Sequence, residues 1–77
     1  MIIYKNGQKV KVAKTFYEVG VSCPKIGTEG RIIIQDTEWV HVAFEYPFVD
    51  REGCIREGED TKVICFKPDE IGMVNDG

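Results

Sequence analysis

What this 77-residue chain lacks narrows its function before any motif is read. It has no run of about 18 apolar residues, so no membrane-spanning helix is predicted. Its opening, Met1-Ile2-Ile3-Tyr4-Lys5-Asn6-Gly7, has the pattern of a polar hairpin rather than a charged leader followed by an apolar stretch. Both features read as a soluble, cytoplasmic protein with no membrane partner. Cysteine is scarce and odd in number: Cys23, Cys54 and Cys65 stand at irregular intervals, which excludes a secreted disulfide framework and favours a reducing compartment. With His41 they have the ligand types of a three-Cys, one-His zinc site. No pair shows the short C-x₂₋₄-C spacing that builds half of one, so the thiols read as small apolar side chains and no metal is expected.

Length excludes more. The chain reads as one domain, residues 1–77, and folding buries only about 60–65% of the extended surface of so short a chain. With no second lobe there is no cleft between domains, so a site lies on the surface or between subunits. His41 is the only histidine, and no base, nucleophile or acid stands near it in sequence. The expectation is a non-enzymatic protein with no catalytic residues and no cofactor.

What is present is strand pattern. Asn6-Gly7 predicts a type I′ hairpin turn that sets Tyr4 opposite Lys9, Ile3 opposite Val10 and Met1 opposite Val12. Val10 and Val12 then face the core with Met1 and Ile3, and Tyr4, Lys9 and Lys11 share the outer face. Residues 15–26 lose the alternation and read as an irregular loop. After the Gly27-Thr28-Glu29-Gly30 turn, Arg31-Ile32-Ile33-Ile34 and Glu38-Trp39-Val40-His41-Val42-Ala43-Phe44 form a hairpin. Its alternation places Val40, Val42 and Phe44 inward and Trp39, His41 and Ala43 outward. A three-residue loop sets Ile32 and Ile34 opposite Val42 and Val40 in the core; a two-residue loop turns Ile33 inward instead, and the first register buries more. Lys62 to Phe66 is a strand whose two faces are equally apolar. Pro68-Asp69-Glu70-Ile71 suits one 3₁₀ turn, since proline cannot donate to a ladder, and Gly72-Met73-Val74 returns as a closing strand against the first hairpin. The fold expected is all-β, a small five-stranded SH3-like barrel with one 3₁₀ turn before the last strand.

The chain from Gln8 to Val74 resembles the superfamily of small SH3-like barrels that includes KOW domains and electron-transport accessory proteins. The matching pieces are Lys9-Val10-Lys11-Val12, Gly27-Thr28-Glu29-Gly30-Arg31-Ile32, Val40-His41-Val42-Ala43-Phe44-Glu45 and Phe66-Lys67-Pro68-Asp69-Glu70-Ile71. The resemblance implies a fold and no particular ligand, because these positions build the barrel. KOW-type RNA binders are generally basic, and this chain departs from them over its last two thirds.

Charge is polarised behind a net of −3. Residues 1–25 carry Lys5, Lys9, Lys11, Lys14 and Lys25 against Glu18, a balance of +4, whereas residues 26–77 carry five basic and twelve acidic groups, a balance of −7. Such an acidic surface repels nucleic acid and draws basic partners. The segment from Glu45 to Thr61 concentrates the effect and, with turns expected at Gly53 and Gly58, reads as a protruding hairpin. It combines Tyr46 and Phe48 with Asp50, Glu52, Glu57, Glu59 and Asp60, and it lacks the D-x-[DN]-x-[DN]-G spacing of a calcium loop. Exposed aromatics beside unpaired charge suit an interface.

The function expected is therefore an adaptor or inhibitor, of the kind a phage or other mobile element encodes. It contacts a protein partner, a basic one, through this acidic aromatic loop and the Trp39 face, with Trp39, His41, Tyr46, Phe48, Asp50, Glu52, Glu57, Glu59 and Asp60 as contact residues. The alternative is a KOW-type nucleic-acid-binding barrel using Tyr4 as a stacking residue among Lys5, Lys9, Lys11 and Lys14. A third class is a small oligomeric enzyme whose pocket forms at a symmetry axis. Against each stands the plain reading of solvated surface, with Trp39 capping the open end of the barrel.

Overall fold

Runs rich in valine, isoleucine and phenylalanine build every long strand of the computed structural model, which describes residues 4–14 and 23–74. The strands are β1 (Lys9–Val12), β2 (Glu29–Gln35), β3 (Val40–Glu45), β4 (Phe48–Val49), β5 (Ile55–Arg56), β6 (Thr61–Phe66) and β7 (Ile71–Met73), with a 3₁₀ turn at Pro68–Glu70. Five of them form one antiparallel sheet in the order β6-β3-β2-β1-β7, and β4 and β5 form a separate two-stranded ribbon. The all-β expectation holds, as does the 3₁₀ turn before the last strand. Closure into a barrel does not: β6 and β7 are opposite edges of the sheet and do not pair. Pro68 ends the β6 ladder, and the 3₁₀ turn carries the chain to the far edge, where β7 pairs with β1.

The core lies on one face of this sheet. Val10 and Val12 from β1, Ile32 from β2, Val40, Val42 and Phe44 from β3, and Phe66 from β6 are all buried, joined by Phe48 and Ile71. Phe44 is the hub, with ring centroids 5.9 Å from Phe66 and 6.3 Å from Phe48. Gly30 is fixed by close approach of the β3 backbone: a Cβ there would come within 2.8 Å of the Ala43 carbonyl oxygen and of the Val42 and Phe44 side chains.

Two register expectations are corrected. The Asn6-Gly7 turn forms, with the Gln8 N–H donating to the Lys5 carbonyl at 3.0 Å, but only Gly7 has positive φ (83°), which excludes type I′. The strand that pairs with β1 on that side is β2, so Tyr4 does not face Lys9. Tyr4 instead donates its N–H to Gln35 Oε1 at 2.7 Å and is buried, with its hydroxyl 3.2 Å from the Pro68 carbonyl oxygen. The pairings expected of Met1, Ile2 and Ile3, and most of the loop expected over 15–26, lie outside the described residues. In the β2–β3 hairpin Ile32 faces Val42 as expected, but a bulge follows: Ile34 faces His41 and Gln35 faces Val40. The extra residue turns both Ile33 and Ile34 to solvent and brings Gln35 round to meet Tyr4.

Candidate functional site

Once the inner face is filled, the outer face of β2, β3 and β6 is set by register. Cross-strand pairing places Ile34, His41 and Cys65 in one row, and Arg31, Ala43 and Val63 in the next. The equally apolar faces of β6 are thereby resolved: Ile64 and Phe66 turn inward, Val63 and Cys65 outward. Ile33 and Ile34 of β2, Val63 of β6 and Trp39 in the turn before β3 remain 45%, 51%, 47% and 39% exposed, so this face presents aliphatic and aromatic surface to water. Trp39 is held at the end of this face by its neighbours. Its N–H donates to Asp36 Oδ1 at 2.8 Å, its carbonyl accepts the Asp36 N–H at 2.9 Å, and Lys67 Nζ stands 4.9 Å from the ring centroid.

At the centre of the face three side chains form a chain of contacts. Asp36 lies in the turn before Trp39, where Oδ1 accepts the N–H groups of Glu38 and Trp39. Its Oδ2 lies 3.3 Å from His41 Nε2, and His41 Nδ1 lies 3.1 Å from Cys65 Sγ. The Trp39 N–H, then the Glu38 N–H and His41, hold the Asp36 carboxyl below its ordinary value. An ionised carboxylate only accepts hydrogen bonds, so it favours the tautomer with the proton on Nε2, in which the Nδ1 lone pair is turned to the thiol. His41, read from sequence as isolated, therefore has a carboxylate on one side and a thiol on the other.

The acidic segment folds differently from its expected role. It is a hairpin with its turn at Gly53, as expected, but the second turn falls at Glu59-Asp60 rather than at Gly58, and the hairpin is pinned to the body by side chains expected to meet a partner. Phe48 is in the core, and Tyr46 stacks on it with centroids 5.2 Å apart while its ring covers Gly58. Asp50 is only 3% exposed: Oδ1 accepts the N–H groups of Glu52 and Cys54, each at 2.9 Å, and Oδ2 accepts Arg56 Nε at 2.7 Å. The Cys54 N–H, then Arg56 and the Glu52 N–H, lower its carboxyl against the opposing effect of desolvation. Phe48 and Asp50 are thus removed from the contact set for a physical reason. One is needed in a thin core, and the other completes a turn. Glu52, Glu57, Glu59 and Asp60 remain exposed on the arm, as does Ile55 at 67%.

The basic alternative loses its stacking residue, because Tyr4 is 6% exposed and sits beneath the last turn. Two of its lysines face carboxylates across the surface, Lys9 with Glu29 and Lys14 with Asp69, each at 3.8 Å. Lys5 and Lys11 are exposed.

Of the four zinc-type residues, His41 and Cys65 meet on the sheet, whereas Cys23 is buried in the core and Cys54 sits on the arm. Among the described residues one set of three potential metal ligands converges, Asp50, Glu52 and Cys54, with donor atoms within 4.8 Å. The Asp50 oxygens are already engaged by two N–H groups and a guanidinium, so this cluster is accounted for by its turn.

Ile33, Ile34, Val63, Cys65 and Asp36 are the residues of the face that sequence reasoning missed. The available signal was the triple isoleucine of β2, one residue more than alternation buries. No helix among the described residues is long and apolar enough to cross a membrane. In comparisons with protein-family models, curated proteins and solved structures, none matches this chain.

Proposed function

We propose that this chain is a non-enzymatic binding module that docks a protein partner on the outer face of β2, β3 and β6. Ile33, Ile34, Trp39 and Val63 make the contact, and the acidic arm steers a basic partner toward it. The observation that carries this reading is the cross-strand register, which turns Ile34 and Val63 to the same outer face on either side of β3, with Ile33 in the bulge and Trp39 in the turn before β3 also exposed, in a chain that is 30% charged. Exposed apolar surface of this kind, rimmed by charge, is the ordinary mark of an interface. Glu52, Glu57, Glu59 and Asp60 supply complementarity that acts on encounter more than on dissociation. The strand order and the 3₁₀ turn before β7 support an SH3-like reading of the fold. Three free cysteines support a reducing, cytoplasmic setting.

The test is a parallel capture from nuclease-treated lysate with the tagged wild-type chain, an Ile34→Lys/Val63→Lys double variant and a Lys9→Glu/Lys11→Glu double variant. One basic protein retained by the wild type and the lysine-reversed chain, and lost from the face variant, is the expected result. Retention by the face variant, or loss only on reversal of the lysines, contradicts the proposal.

A further inference from the structure

We propose that Cys65 is a nucleophilic thiol, with His41 as its base and Asp36 as the positioning residue, that forms mixed disulfides with small disulfide-bearing molecules. The inference rests on the juxtaposition of the three side chains and is independent of the docking role given to the surrounding face.

The three cysteines differ in what surrounds them. Cys23 is buried, and burial pushes its thiol up from the ordinary value, so it stays protonated and inaccessible. Cys54 is exposed on the arm, where its backbone N–H serves the Asp50 turn. Cys65 is exposed on β6, and its Sγ lies 3.1 Å from His41 Nδ1. Register holds that contact: His41 and Cys65 are directly opposite in the β3–β6 ladder. The turn at Asp36 holds the other end of the imidazole, so two independent backbone elements fix the ring. This is the arrangement of nucleophile, base and orienting carboxylate that activates a thiol.

The class of electrophile follows from what lines the thiol. Attack on a carbonyl develops an oxyanion that needs donors: Ile34, Ala43 and Val63 have none, and the Lys67 ammonium is engaged over the Trp39 ring, 4.9 Å from its centroid. Displacement at a disulfide sulfur develops no oxyanion and needs only an accessible thiolate and an in-line leaving thiol. In the step, the Cys65 S–H proton passes to His41 Nδ1 and Sγ bonds to one sulfur of the disulfide. The disulfide bond breaks, and the departing thiolate takes the proton back from His41. No net oxidant is required beyond the disulfide itself. All three cysteines are free, with Cys23 in the core and Cys54 on the arm. The mixed disulfide therefore persists until an external thiol reverses it.

The experiment treats the full chain with oxidised glutathione and follows mass gain at each cysteine by peptide mapping, Cys54 serving as the exposed control in the same molecule. Cys65 is expected to react at least about tenfold faster than Cys54. His41→Ala should bring Cys65 down to about the rate of Cys54, and added imidazole should restore part of the difference. Asp36→Asn, which keeps an acceptor for the two turn N–H groups, should slow Cys65 about threefold and leave Cys54 unchanged. Circular dichroism verifies the fold of each variant, and His41→Gln replaces His41→Ala if the latter does not fold. A Cys65 rate no greater than that of Cys54, or one unmoved by folded His41 variants, overturns the proposal.

Discussion

Asp36 and Asp50 build their turns in the same way and reach opposite ends. Each uses Oδ1 to accept two backbone N–H groups of its own turn and Oδ2 to meet a side chain on the strand that follows. At Asp50 that side chain is Arg56, the contact is 2.7 Å, and the carboxylate is sealed at 3% exposure. Guanidinium has donors only and keeps its charge, so the unit is chemically closed and serves to anchor the arm. At Asp36 the partner is His41, the contact is 3.3 Å, and the side chains are 53% and 30% exposed. Imidazole has a second nitrogen, and here it faces a thiol. The same turn device therefore ends a chain of polar contacts in one place and starts one in the other. What decides is whether the third member can still exchange a proton.

The largest expected effect separates the two units by stability. Asp50→Ala leaves the Glu52 and Cys54 N–H groups and the Arg56 guanidinium without their acceptor, and should lower the thermal midpoint by roughly 5–10 °C. Asp36→Ala, in an exposed turn, should lower it by no more than about 2–4 °C. Equal losses in a thermal scan would break the distinction between an anchor and a poised site.

A smaller effect appears in acid. Both carboxyls sit below the ordinary aspartate value of 3.8, so their contribution is complete above that value and is lost as pH falls through the lower folded values. Asp50→Asn removes one of these titrations. The variant should start less stable at about pH 5 yet lose less stability than the wild type on descent to about pH 2, as read by denaturant midpoints. A parallel fall of the two chains would mean that Asp50 is not the group whose protonation loosens the arm.

These units also show where sequence reading reaches its limit. Val40, Val42 and Phe44 were legible as core because strict alternation has one physical meaning in a half-buried strand. Pro68 announced the 3₁₀ turn for an equally local reason, the missing donor. The bulge at Ile33 was invisible, because three successive isoleucines give no contrast from which to place an extra residue. Hairpin pairing alone turns Tyr4 outward, whereas its actual partner, Gln35, is 31 residues away. Cys65 and His41 are separated by 24 residues, and their contact depends on which way β6 faces, a choice its evenly apolar sequence did not make. Asp50 misled for a different reason: a carboxylate reads as surface unless its turn and its arginine are known.

The most direct test of the central assignment is a heteronuclear NMR titration of the full chain with the protein captured by the wild-type bait. Perturbations concentrated at Ile33, Ile34, Trp39, His41, Val63 and Cys65, with the Lys5 to Lys14 amides unmoved, are the predicted result. Perturbations confined to the Lys5 to Lys14 segment, with the Trp39 indole signal unchanged, would contradict the assignment of the outer face of β2, β3 and β6 as the functional site.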